Sequence, residues 1–205
     1  MNGPEALSIL RRLGVPAIDT ADAMAALGLS PAAASRMLTR LARVGLIRSV
    51  RHGTWWVEDT LDILRLPEYL SAPLPSYVSL QTALHRLGLI EQIPEVVYAV
   101  SLARTQRVKT KVGTFSFHHV APEVFGGYTE TERGAKIATA EKALFDFAYL
   151  SSGRSRLFTS LPELELPRGF RHKELLRWLA KIPSGRSRTL TKQKLDALLA
   201  KAICL

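Results

Sequence analysis

Two places in the 205-residue chain bring together residues that could do chemistry. His118 and His119 are the only adjacent pair among five histidines, and they follow Phe115 and Phe117 in the run GTFSFHHV. Two imidazoles can hold a transition metal or relay a proton. On a strand, however, Phe115, Phe117 and His119 share one face while Thr114, Ser116 and His118 share the other. The rings then point apart and cannot grip one ion. The pattern predicts His119 at a hydrogen-bonded rim of the core and His118 at the surface. The second place is Glu141-Lys142 with Asp146 one turn further on, inside KIATAEKALFDFAYL. Two carboxylates and an amine can serve acid–base chemistry. Helix building explains the same residues without it: Thr139 as N-cap, Glu141 at the positive helix end, Lys142 and Asp146 as an i,i+4 pair, and Leu144, Phe147 and Ala148 as the apolar stripe.

Other reactive patterns do not occur. Cys204 is the single cysteine, so neither an internal disulfide nor a zinc ribbon can form from these residues. There is no Gly-rich phosphate loop, Gly-x-Ser-x-Gly elbow or His-Glu-x-x-His motif. The acids are dispersed, whereas a Mg²⁺-dependent nuclease needs them clustered, which makes that the weakest reading. The expectation is a protein that is not an enzyme, with no catalytic residue, metal or cofactor. The opening MNGPEALSILRRLG lacks a basic lead, a long apolar run and a cleavage site, and no apolar stretch approaches the ~18 residues of a membrane span. A cytoplasmic setting, without membrane, is expected.

What the sequence offers instead is positive charge. A net charge of +10 and a pI of about 10.1 point toward polyanions. Residues 1–60 carry seven arginines against five acids, residues 61–150 nine bases against nine acids, and residues 151–205 twelve bases against four acids.

The elements that must present these charges are readable in order. EALSILRRLG places Ala6, Leu7, Leu10 and Leu13 at helical spacing and stops at Gly14. TADAMAALG starts at Thr20 as N-cap, has Asp22 in its first turn and ends at Gly28. LSPAAASRMLTRLARVG has Ser30 as cap, Pro31 at the first helical position and Gly45 as stop. The last two helices, three residues apart, have the dimensions of a helix-turn-helix. At 100° per residue, Ala34, Met37, Leu38, Leu41 and Val44 face inward. Ala32, Arg36, Thr39 and Arg43 face outward, flanked by Ser35 and Arg40, and no acid occurs between Ser30 and Glu58. Such a face suits the major groove of double-stranded DNA, with Ser35, Arg36 and Thr39 toward bases and Arg43 toward phosphate. LIRSV and TWWV, joined by RHG, read as a hairpin carrying Arg48, Arg51 and His52. The order is that of a winged helix-turn-helix. Of Trp55 and Trp56, alternation sends one to the core and leaves the other covering the base of the wing.

RLPEYLSAPLPSYVS, with three prolines, reads as a linker over residues 63–76. Beyond it, SLQTALHRLGLI is a helix capped by Ser79 and stopped by Gly88. EVVYAVSL and RTQRVKTKVGTFSFHHV are strands, with Arg107, Lys109 and Lys111 sharing one basic side. The pentapeptide SGRSR occurs twice, at 152–156 and 184–188, and both copies read as basic loops. Between and after them, FRHKELLRWLAKI turns Leu175, Leu176, Leu179 and Ile182 inward, and TKQKLDALLAKA is a last amphipathic helix. Accessory phosphate contacts from Arg107, Lys109, Lys111, Arg154, Arg156, Arg186 and Arg188 are the sharper reading of these charges; a solvated surface is the plainer one. The expected fold class is α+β: a winged helix-turn-helix over 1–62, the linker, then a mixed α/β unit with a helical tail over 77–205.

PSYVSLQTALHRLGLI, VVYAVSLARTQRVKTKVGTFSFHHV and IATAEKALFDFAYL, following the winged-helix pattern, resemble the AbiEi family from about residue 3 to 150. These are antitoxins of the AbiE (type IV) toxin–antitoxin systems of bacterial abortive infection, a phage defence. Ala140 stands where family members usually have proline. The resemblance implies a repressor that binds inverted repeats in its own promoter through the winged helix. It also implies a second domain that counteracts a nucleotidyltransferase-like toxin, with no stable complex presumed. An orphan winged-helix regulator, its second domain sensing a ligand or dimerising, is the alternative.

Overall fold

The computed structural model describes residues 1–152, 161 and 163–204. Helix α1 (Gly3–Arg11) opens on a capping box in which Asn2 Oδ1 accepts the Glu5 N–H at 2.9 Å. Strand β1 (Ala17–Asp19) leads into α2 (Thr20–Leu27). The cap of α2 is Asp19 rather than the expected Thr20: Asp19 and Asp22 carboxylates accept each other's backbone N–H at 2.8 Å. The Thr20 hydroxyl instead accepts from the Trp55 indole. Gly28, at φ +62°, closes α2 in the left-handed region. Helix α3 (Pro31–Arg43) is capped by Ser30 as expected. The hairpin of β2 (Arg48–Arg51) and β3 (Thr54–Trp56) follows, and β1 joins its far side to give the antiparallel order β1-β3-β2.

Ala6, Leu7, Leu10, Ala23, Leu27, Met37, Leu38, Leu41, Ile18, Ile47 and Trp55 build the core of this first unit. Leu13 and Val44, expected inward, are 42% and 64% exposed. Both helices end before them, α1 at Arg11 and α3 at Arg43, so neither residue continues its stripe. Trp55 and Trp56 are both buried, and Trp56 belongs to a second, larger core with Ala17, Val50, Leu66 and Leu70. Alternation sends the two to opposite sides, and each is buried in a different core.

The stretch read as a linker contains helix α4 (Leu66–Ser71), with Pro67 in its first turn, where no amide hydrogen is required. Leu66, Pro67 and Leu70 are buried, so Pro67 belongs to a packed element, whereas Pro73 and Pro75 follow it exposed. Then come β4 (Ser76–Val78), α5 (Leu80–Arg86), β5 (Val97–Ser101), β6 (Gln106–Thr110), β7 (Gly113–His119), a 3-10 turn at Pro122–Val124, β8 (Tyr128–Glu130), β9 (Lys136–Ala138) and α6 (Ala140–Ser151). The strands form one mixed sheet in the order β6-β7-β5-β4-β9-β8, with β5–β7 and β4–β9 parallel. Strand β10 (Glu165–Leu166), α7 (His172–Ala180), α8 (Gly185–Leu199) and β11 (Ile203–Cys204) complete the chain. The whole is a mixed α+β fold.

Helix α6 is buried from Glu141 to Ala148, all the way round. Lys142 and Asp146 are thus not a surface pair but a wholly buried one. The ammonium donates to Asp146 and to the Val124 carbonyl at 2.8 Å. The second carboxylate oxygen accepts from Tyr77 at 3.0 Å and from Ser79 at 2.7 Å. Ser79 therefore spends its hydroxyl on Asp146 instead of capping α5. Burial pulls the Lys142 ammonium below its usual range, and it pushes the Asp146 carboxyl up. Trp178 of α7 lies 4.5 Å above the ammonium, and Gly127 at φ +75° leaves no room: a Cβ there would sit 2.5 Å from the indole. Glu141 accepts the Arg171 N–H at 3.0 Å; burial raises its pKa, but these amides, the Thr139 hydroxyl and the Arg171 charge outweigh it and leave the carboxyl lowered.

In the tail, Leu175, Leu179 and Ile182 are buried while Leu176 is 59% exposed, because it lies 100° away from its neighbour on the helix. The second SGRSR is not a loop: Ser184 caps α8, and Gly185 to Arg188 form its first turn. The first copy, from Gly153 to Arg156, lies outside the described residues.

Candidate nucleic-acid interface

The inward stripe of α3 fixes which side chains it can present. With Ala34, Met37, Leu38 and Leu41 buried, Ser35, Arg36, Thr39, Arg40 and Arg43 are exposed. Arg40 turns back along the helix, its guanidinium 3.0 Å from the Met37 sulfur. On the hairpin, Arg48 and His52 are exposed, and Arg51 is half-buried with its Nε donating to Thr54 Oγ1 at 3.2 Å. Gly53, at φ +76°, makes the turn that puts His52 at the tip. Among the described residues, no ion pair involves any of these arginines. Elsewhere arginines are neutralised: Arg11 pairs with Asp59, Arg65 with Glu58, Arg171 with Glu141 and Arg177 with Glu174. With no acid from 31 to 57, the surface of α3 and the hairpin carries uncompensated positive charge.

The expected accessory residues divide. Arg107 and Lys109 are exposed on β6, an edge strand. Lys111 does not share their strand face, since β6 ends at Thr110 and Lys111 sits in the turn to β7. There its N–H donates to the Val50 carbonyl at 2.8 Å, which sets the β6–β7 turn against β2. No sequence signal announces that contact, because it joins residues about sixty positions apart. Arg186 is exposed, whereas Arg188 gives Nε and Nη2 to the Ile182 carbonyl at 3.2 and 2.7 Å and so completes the end of α7. Arg154 and Arg156 lie outside the described residues.

The paired histidines exchange their expected places. His118 is 3% exposed, bonded to Ser116 at 2.9 Å and stacked on Tyr98, and burial lowers its pKa to about 4. His119 is exposed, with Nδ1 3.2 Å from the Leu102 carbonyl. The expectation assumed one solvated sheet face; Val100, which pairs with His118 on that face, is fully buried, so both faces are covered. No group of three or more metal-ligating side chains occurs among the described residues. Nor is any described helix long and apolar enough to cross a membrane.

Two adjoining hollows, about 690 and 640 Å³, run between residues 58–65 and the β8–β9 turn. Glu58, Asp62, Arg65, Glu130, Glu132 and Arg133 line the first. Compared with protein-family models and with curated proteins, the chain finds no match.

Proposed function

We propose that this chain is a DNA-binding transcriptional repressor whose residues 3–57 act as a winged helix-turn-helix. The observation that carries the reading is the exposed face of α3, where Ser35, Arg36, Thr39, Arg40 and Arg43 stand together with no acid and no ion pair. Laid in a major groove, such a helix offers Arg36 to guanine edges and small residues for close approach, while Arg43 meets phosphate. The hairpin beside it offers Arg48, Arg51 and His52 to the flanking backbone. Arg107, Lys109 and Lys111 extend the same charge along the β6–β7 hairpin, because its turn abuts β2. Arg186 is free to add a further phosphate contact.

By its resemblance to AbiEi antitoxins, the chain represses its own operon through inverted repeats and counteracts a nucleotidyltransferase-like toxin through the sheet unit, in the cytoplasm and without a stable toxin complex. The motif segments behind that resemblance fall on β4–α5, β5–β7 and β9–α6, which hold five of the six strands of the larger sheet. A second reading, a regulator whose sheet unit senses a ligand, is favoured by the hollows between the two units. Two measurements decide. Fluorescence anisotropy with duplex DNA from upstream of the gene should show tight, salt-sensitive binding that Arg36→Ala weakens. Co-expression with the product of the neighbouring gene should relieve its toxicity. Equal binding to random and upstream DNA would remove the repressor reading.

A further inference from the structure

The hairpin that carries Arg48, Arg51 and His52 is gripped from outside its own sheet at two points. On β3, Trp56 is fully buried, yet its neighbours belong to the larger core of the second unit. Its indole N–H donates to the Thr60 carbonyl at 3.1 Å, and the Arg65 guanidinium lies 5.4 Å over its ring. Arg65 in turn donates to Glu58 Oε2 at 2.7 Å, on the strap of chain that leaves β3. On β2, the Val50 carbonyl accepts the Lys111 N–H. In register, Trp56 pairs with Arg48 and Thr54 with Arg51, so a shift of Trp56 is a shift of the strand that carries both arginines.

Arg65 is poorly placed to touch DNA itself. Its side chain is 18% exposed, and what it shows opens on a hollow whose lining sets Glu58, Asp62, Glu130 and Glu132 against one further guanidinium, Arg133. With carboxylates outnumbering guanidiniums, this lining disfavours a phosphate backbone. Gly134, at φ +81°, lies close by: a Cβ there would stand 3.4 Å from Arg65 Nε.

We propose that Arg65 is a positioning residue for DNA recognition: held between Glu58 and the Trp56 ring, it fixes the hairpin against the sheet unit and thereby the contacts of Arg48 and Arg51. The proposal rests on the DNA-binding reading of α3 and the hairpin. It differs from a role in stability alone, because it ties Arg65 to one part of the interface. A residue acting through the hairpin couples with hairpin arginines and is additive with α3 arginines.

The test is a pair of double-mutant cycles on the full chain, read by anisotropy on a duplex that the wild-type protein selects from a random pool. Cooperative thermal unfolding and near-UV circular dichroism confirm the fold of each variant. Arg65→Ala should lose about 5- to 10-fold in affinity. In an Arg51→Ala background that loss should shrink to about 2-fold or less, whereas in an Arg36→Ala background it should persist in full. If Arg65→Ala does not fold, Arg65→Lys carries the same cycles, with a smaller loss and the same selective coupling to Arg51. If selection yields no bound duplex, the DNA-binding reading itself fails. If the wild type binds but the Arg65 effect is absent, or is equally additive with Arg51 and Arg36, the clamp is overturned and the DNA-binding reading stands.

Discussion

Asp146→Ala tests whether the Lys142–Asp146 pair anchors the sheet unit. Both side chains have 0% exposure, so solvent cannot replace a lost partner. The substitution strands a buried ammonium with one remaining acceptor, the Val124 carbonyl at 2.8 Å, and leaves the Tyr77 and Ser79 hydroxyls without theirs. One-sided removal of a buried pair costs about 3–5 kcal/mol. Burial already lowers the Lys142 pKa, so the amine can shed its proton, which holds the cost near ~3 kcal/mol. For a chain of this size that is a fall in Tm of roughly 6–12 °C. Lys142→Met should cost less, about 1–2 kcal/mol, because Asp146 keeps both hydroxyl donors and burial already pushes it toward its neutral form. The double variant Lys142→Met/Asp146→Leu should be more stable than Asp146→Ala, since it strands no charge. Urea unfolding followed by circular dichroism and by tryptophan emission reads all three. Trp178, 4.5 Å from the ammonium, reports the local change. An Asp146→Ala variant within ~1 kcal/mol of wild type, or a double variant no more stable than Asp146→Ala, refutes the reasoning.

Arg36→Ala should cost roughly 1–3 kcal/mol on the selected duplex and relax its sequence preference, whereas Arg51→Ala should weaken all duplexes alike; competition anisotropy separates the two. Neutralising Arg107 and Lys109 together should lower the slope of log affinity against log salt by about 2, and an unchanged slope rejects their phosphate contacts. His118 binds a proton more readily unfolded than folded, because burial lowers its folded pKa to about 4 from 6.5. Its contribution is therefore complete above pH ~6.5 and is lost as pH falls toward ~4, up to about 3 kcal/mol. His118→Leu should flatten urea midpoints between pH 7 and pH 5, whereas an unchanged pH slope counts against it. Gly127→Ala should destabilise by more than about 1 kcal/mol, since its Cβ would meet Trp178 at 2.5 Å and φ is +75°; a melting temperature equal to wild type would contradict this.

Local punctuation was the most legible part of the sequence. Ser30 before α3, Pro31 at its first position, Gly28 after α2 and Thr139 before α6 each act through their immediate neighbours, and each sits where the sequence placed it. The exposed residues of α3 were legible for a related reason: once its apolar stripe is known, periodicity fixes the opposite face. What failed depended on distant covering. Alternation correctly separated His118 from His119, but it could not show that Val100 and its surroundings bury the His118 face. Lys142 and Asp146 have the spacing of a surface pair, and only α7 and the Val124 turn, from elsewhere in the chain, seal them in. Strand β1 has three residues and exists because β3 is there to pair with it. Arg65 gave no signal at all, being one arginine in a proline-rich stretch until Trp56 and Glu58 are placed around it.

Trp56 also changes how the two units must be regarded. The charge pattern and the prolines suggest a DNA-reading head that could be cut away near residue 62. Yet Ala17 of β1, Val50 of β2 and Trp56 of β3 all contribute to the core of the sheet unit. Cutting there would expose a tryptophan, remove the Arg65 cation from its ring and free the Val50 carbonyl from Lys111. The tail is no more separable, because Leu195 of α8 and Leu175 and Leu179 of α7 are buried in the same core. Losing the charge of the tail by truncation would therefore also remove packing, and a change in DNA binding could not be assigned to phosphate contacts. Point substitutions at Arg186, exposed in the first turn of α8, isolate the electrostatic part. The same continuity gives the hairpin and the sheet a shared mechanical reference through the Trp56–Arg65 contact and the Val50–Lys111 hydrogen bond.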